Sequence, residues 1–165
     1  MGIDMAMHIE VKKATEDLLQ EIMAVDSYVY HIGLNWYVRR YVGKEFALLY
    51  DEDGVAGYAV AVPIAKPMYD ALVSGVVVND IDLNEEMFLS QSDYYYLASA
   101  VVIPMYRKKG WGNQLVDTAL NHIKGQCVAL VVSEAGEKLA KRHLTKVKDL
   151  PLGRAIYAGE INEPD

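Results

Sequence analysis

At 165 residues, half apolar and a quarter charged, the chain has room for one sizeable core and the composition of an ordinary globular protein. A formal net charge of -7 argues against a general nucleic-acid surface and favours cationic or neutral partners. No window approaches a membrane span, the start lacks the basic and apolar regions of a signal peptide, and a lone cysteine, Cys127, excludes an intrachain disulfide and fits a reducing cytoplasm.

In chain order, His8 to Lys12 is expected to be a first strand. Thr15 can cap a helix whose first turn carries Glu16 and Asp17, favourable for the helix dipole, and whose buried stripe is Leu18, Leu19, Ile22 and Met23. A second helix is expected over about Leu34 to Tyr41. Phe46 to Tyr50 and Val55 to Val62 are strand-like runs joined by Asp51-Glu52-Asp53-Gly54, a hairpin signal. Tyr69 to Ser74 is read as a helical turn, Val76 to Val78 as a strand extension and Asn79 to Glu86 as a polar, acidic loop. Tyr94 to Val102 forms the next strand, then comes a helix from near Gly110 with Gly125 as its cap, and then a strand over Val128 to Val132. Cys127, beside Val128, Ala129 and Leu130, is placed in the core. Glu134 to Lys146 is expected as an amphipathic helix and Ala155 to Ile161 as a final strand. A meander followed by a β-α-β unit implies one α/β domain over residues 1–165, with a mixed sheet and helices on both faces.

Residues 101–112 carry the most chemical information. An apolar strand, Val101-Val102-Ile103, ends at Pro104; Met105-Tyr106-Arg107-Lys108-Lys109 makes a basic turn; Gly110-Trp111-Gly112 opens a helix. Trp111, Leu115, Val116, Ala119, Leu120 and Ile123 recur at helical spacing. The first N–H groups of such a helix lack intrahelical partners, and glycines let an anion approach the backbone. Arg107, Lys108 and Lys109 add positive charge in a chain that is acidic elsewhere. No third glycine completes a dinucleotide fingerprint, and no Gly-Lys-Ser/Thr makes a P-loop. On the glycines alone a solvated turn before an ordinary helix would suffice.

The complete stretch resembles the acyl-CoA signature of the GNAT superfamily of N-acetyltransferases. There a strand ends in Val-x-Pro-x-Tyr-Arg, and Arg/Gln-x-x-Gly-x-Gly/Ala opens a helix; Val102, Pro104, Tyr106, Arg107, Gly110 and Gly112 fall in place. The resemblance implies a GNAT-like mixed, mostly antiparallel sheet whose fourth and fifth strands splay apart, here Tyr94 to Val102 and Val128 to Val132. It implies acetyl-CoA as acyl donor. Backbone groups of Ala100, Val101 and Val102 would bond the pantetheine, and the Arg107, Lys108, Lys109, Gly110, Trp111, Gly112 and Asn113 stretch would bind the pyrophosphate. A homodimer is a further expectation of the resemblance, since the C-terminal tail reads as short for the family's closing hairpin.

Acetyl transfer needs a neutral amine, a stabilised oxyanion and a proton for the leaving thiolate. Many members supply the proton from a tyrosine on the helix after the fifth strand; Glu134 to His143 contains none, and Lys141 sits near that position. His143 is one substitute, since imidazole titrates near neutrality; its plainer reading is an exposed residue at a helix C-terminus. Some members place a basic glutamate where this chain has Tyr96, which could order a water or line the acceptor cleft, or simply pack with Tyr94 on one strand face. Glu134 is a helix N-terminal charge or faces the cleft. Asp80, Asp82, Glu85, Glu86 and Asp93 are a solvated acidic loop or an attractor for a cationic amine. His8, His31 and His122 have no metal-ligand spacing with Cys127, so no metal is expected. The expected function is an acetyl-CoA-dependent N-acetyltransferase acting on a primary amine. The alternatives are an acyl-CoA-binding module without turnover, which the missing tyrosine motivates, and a fold that uses its groove for a protein partner.

Overall fold

The computed structural model describes residues 7–26, 38–77 and 82–162. Along them run β1 (His8–Lys13), α1 (Glu16–Asp26), β2 (Glu45–Asp51), β3 (Gly54–Pro63), α2 (Lys66–Val73), β4 (Tyr94–Val102), α3 (Trp111–Asn121), β5 (Gly125–Val131), α4 (Glu134–Ala140), β6 (Thr145–Asp149) and β7 (Ala155–Ile161). The strands form a seven-stranded sheet in the order β1-β2-β3-β4-β5-β7-β6. The described pairs are antiparallel except β4 with β5, which are parallel. Among the described residues no helix is long and apolar enough to cross a membrane.

The chain divides into two compact units. The first comprises residues 1–60 and 99–119. Its α1 starts at Thr15, whose Oγ1 accepts the Leu18 N–H at 3.2 Å, and Glu16 and Asp17 sit in the first turn where the dipole favours them. Leu18, Leu19, Ile22 and Val25 form its buried stripe, while Met23 is only half-buried. β1 and β2 pair from His8↔Tyr50 to Lys13↔Glu45, and β2 and β3 from Phe46↔Val60 to Asp51↔Gly54. The connecting turn is held by Asp51 Oδ1, which accepts the Asp53 N–H at 2.8 Å.

The second unit comprises residues 61–98 and 120–165. β4 pairs with β5 from Tyr94↔Gln126 to Leu97↔Ala129, and β5 pairs with β7 along its whole length. Both α2 and α4 pack on β5. A proline in the first turn of α2 sets its start, and Ser133 caps α4 by accepting the Gly136 N–H at 3.1 Å. Asn162 donates from Nδ2 to the carbonyls of Leu120 and Ile123, satisfying groups left at the end of α3.

Five expectations are corrected. The helix from Glu134 stops at Ala140, and Thr145–Asp149 is a strand instead. All five β6 side chains are exposed, so its hold on β7 is backbone pairing and leaves no alternating apolar signal. The antiparallel β6–β7 pair is the closing hairpin for which the tail reads as short. Gly125 does not cap α3; it opens β5 with φ +147, and a Cβ there would collide with the Asp93 carbonyl. Val76 and Val77 lie in a bend after α2 rather than in a strand, and Val78 lies outside the described residues. Of the second helix, residues 38–41 form a 3-10 turn and residues 34–37 lie outside the described residues.

Candidate functional site

The end of β4 turns into the 101–112 stretch within the first unit. After Val102 the chain takes one 3-10 turn, Pro104–Tyr106, with the proline at its start. Tyr106 Oη donates to Asp51 Oδ2 at 2.9 Å, tying this turn to the β2–β3 hairpin. That hydrogen bond, with the nearby Asp51 charge, pushes the Tyr106 phenol above its ordinary pKa. Arg107 folds back, and its Nε donates to the Val102 carbonyl at 2.9 Å. Lys108 then adopts φ +64 and Gly110 φ +86, two left-handed residues that reverse the chain into α3.

Gln114 N–H to Gly110 carbonyl, 3.1 Å, is the first bond of α3. Helical geometry therefore leaves the N–H groups of Trp111, Gly112 and Asn113 without an i−4 partner. Lys108, Lys109 and Gly110 are exposed, and a Cβ on Gly110 would meet nothing within 4 Å. An anion can approach this mouth closely and find helix N–H groups, the positive dipole end and cationic side chains together. The residues fit a pyrophosphate.

The strand end behind this mouth is clamped. Ile103 donates to the Ala56 carbonyl on β3 at 3.0 Å. At the neighbouring Gly57 a Cβ would stand 2.9 Å from the Val101 carbonyl oxygen, 3.2 Å from Leu115 Cδ1 and 3.4 Å from Val102 Cα. Glycine at this position lets β3, β4 and α3 approach closely. Leu115 and Val116, buried on the inner side of α3, anchor the helix from below.

Of the side chains singled out for chemistry, Tyr96 is 1% exposed and packed in the core, while its same-face neighbour Tyr94 contacts the Tyr69 ring at 5.0 Å between centroids. His143 lies in the turn after α4, half-buried, with its N–H donated to the Ala140 carbonyl at 3.0 Å. Both belong to the second unit, whereas residues 99–113 belong to the first. Glu134, Asp82, Glu85, Glu86 and Asp93 are exposed; Asp80 and His31 lie outside the described residues.

One polar chain was not anticipated. Asp26, at the end of α1, is 0% exposed and is the buried charged residue among the described residues. Tyr58 Oη on β3 donates to Asp26 Oδ1 at 2.5 Å and lies 3.1 Å from Ser99 Oγ on β4. A carboxylate in the last turn of a helix opposes the dipole, and that conflict was the available sequence signal.

A mixed, mostly antiparallel sheet, a parallel β4–β5 pair and a left-handed turn between β4 and α3 are the features that set the class of this fold. The acetyltransferase (GNAT) family matches residues 13–144, and the chain belongs to that family. The loading GNATL domain of CurA from Lyngbya majuscula is similar in fold, with 14% identity, 93% of this chain and 98% of that chain covered, and a TM-score of 0.66. Histone acetyltransferase HPA2 and related acetyltransferase from Corynebacterium glutamicum gives 13% identity, 94% and 98% coverage, and a TM-score of 0.63. Arabidopsis thaliana NAA60 in complex with acetyl-CoA gives 14% identity, 93% and 100% coverage, and a TM-score of 0.64. A sequence comparison with curated proteins found no match.

Proposed function

We propose that the protein is an N-acetyltransferase that moves an acetyl group from acetyl-CoA to a primary amine. The observation that carries this reading is the mouth of α3: two left-handed residues, Lys108 and Gly110, turn the chain so that free helix N–H groups and exposed lysines share one opening. Membership of the acetyltransferase family supports it. So does the acetyl-CoA complex of the plant relative.

In this reading the N–H groups of Lys108 to Asn113 hold the pyrophosphate, with Lys108 and Lys109 adding charge. Backbone groups of Ala100, Val101 and Val102 align the pantetheine and so place the thioester against β4. Arg107 holds the turn to Val102, and Gly57 and Ala56 hold the strand end. Positioning is a large share of such catalysis, because orientation alone can lower a bimolecular barrier by about 7–11 kcal/mol.

Calorimetric titration with acetyl-CoA, with adenosine diphosphate as control, tests the donor site. Saturable one-to-one binding, weakened in Gly110→Glu, is expected. CoA-thiol release is then measured with phenethylamine, spermidine, L-glutamate and a lysine-containing peptide as acceptors. A second reading is an acyl-CoA-binding module without turnover, favoured by the absence of tyrosine from α4. Tight acetyl-CoA binding with no thiol release from any acceptor would select it.

A further inference from the structure

The first unit contains an ordered line of oxygens, Asp26 Oδ1, Tyr58 Oη and Ser99 Oγ, with separations of 2.5 and 3.1 Å. A phenol has one hydrogen to donate. Tyr58 donates it to Asp26, and the 2.5 Å separation is that of a charge-assisted O–H···O⁻ bond. The Ser99 hydroxyl must then be the donor to the Tyr58 oxygen. This polarity leaves the Ser99 lone pairs to accept from a further donor. Asp26 is sealed from solvent, whereas Ser99 is half-buried, so the line has one wet end and one dry end. Ser99 also immediately precedes Ala100, Val101 and Val102, the backbone that would carry the thioester.

We propose that Asp26, Tyr58 and Ser99 form a proton relay that deprotonates the acceptor amine at Ser99 Oγ; this rests on the transfer reading above. A primary amine arrives as an ammonium ion at neutral pH and cannot attack while protonated. Its proton passes to Ser99 Oγ as the Ser99 proton moves to Tyr58 Oη and the Tyr58 proton to Asp26, which becomes a carboxylic acid. The neutral amine then forms the N–C bond to the acetyl carbon as the C–S bond breaks. The second proton leaving nitrogen ends on the departing sulfur, giving amide and CoA thiol. Asp26 afterwards returns its proton to solvent by the same line. Asp26 and Tyr58 are positioning residues, since they act only through Ser99.

The test compares Tyr58→Phe, Ser99→Ala and Ser99→Thr with the wild-type chain. Acetyl-CoA affinity is measured by calorimetry. Turnover is measured with the fastest of the four amines above and with hydroxylamine, which is neutral at the assay pH. Tyr58→Phe and Ser99→Ala are expected to keep their acetyl-CoA affinity and lose roughly 10²-fold in kcat with the protonated amine. Ser99→Thr, which retains a hydroxyl, is expected to stay near wild type, and hydroxylamine turnover to be alike in all four proteins. Wild-type kcat in Ser99→Ala overturns the relay alone, as does an equal loss with hydroxylamine. If Tyr58→Phe fails to bind acetyl-CoA, the Ser99→Ala and Ser99→Thr pair decides the question. A wild-type chain that releases no thiol with any amine or with hydroxylamine overturns the transfer reading and the relay together.

Discussion

Arg107 donates from Nε to the carbonyl of Val102 at 2.9 Å, five positions back along the chain. The bond closes the turn between β4 and α3, so the residue that charges the mouth also shapes it. Lysine could supply the charge but not the planar donor. Arg107→Lys is therefore expected to weaken acetyl-CoA binding by about 1 kcal/mol, roughly fivefold, with its salt dependence retained. Arg107→Ala is expected to lose more affinity and also flatten the salt dependence. Calorimetry at two salt concentrations reads both. A lysine variant equal to wild type would show that charge alone matters.

Gly57 sets how closely β3 approaches the end of β4. Gly57→Ala puts a methyl 2.9 Å from the Val101 carbonyl oxygen, a backbone atom that cannot swing aside. Overpacking of this kind costs about 1–3 kcal/mol. Denaturant titration is expected to show that loss, together with weaker acetyl-CoA binding because Val101 and Val102 shift. Loss of stability at unchanged affinity would separate the strand end from the donor site.

Much of this site was legible locally. Val102, Pro104, Tyr106, Arg107, Gly110 and Gly112 follow one another within a single turn, so their spacing survives in the sequence. The bounds of β4 and β7 were legible too, because both are mostly apolar stretches set between polar, glycine or proline residues. β6 was not, since its side chains all face solvent and its pairing is made by backbone. Gly57 reads as one more strand glycine until α3 and β4 are laid against it. The Asp26–Tyr58–Ser99 line joins residues 32 and 41 positions apart, a separation that no local pattern records.

Lys108 holds φ +64 without being glycine, a conformation that costs an L side chain about 1–2 kcal/mol. Lys108→Gly is expected to relieve that strain, leaving thermal stability equal or higher, while acetyl-CoA binding falls several-fold with the lost charge. Gly110→Ala inverts the pattern. Its side chain has open space, but at φ +86 the backbone is strained, so about 1 kcal/mol of stability is expected to go with no loss of charge. Thermal melts paired with calorimetry on both variants read strain and charge separately. A lower Tm in Lys108→Gly would contradict the strain assignment.

Cys127 is 0% exposed, and burial pushes its thiol up from 9.0 to about 12, with a backbone hydrogen bond to Leu97 opposing the shift weakly. The folded protein therefore keeps the neutral thiol where the unfolded chain forms thiolate. Above pH 9 the unfolded state binds fewer protons, so stability falls as pH rises, and the contribution is gone once the pH passes about 12. Tyr69 and Tyr95, whose phenols burial also raises, add to the same alkaline loss above pH 10. Cys127→Ala is expected to lower stability at neutral pH through lost packing yet flatten its decline between pH 9 and 10, measured by urea titration at each pH. In the wild type, iodoacetamide at pH 8 is expected to label Cys127 only as fast as the chain opens, and labelling should accelerate through the urea transition. Rapid labelling of the native protein would show that the β5 thiol is reached without unfolding.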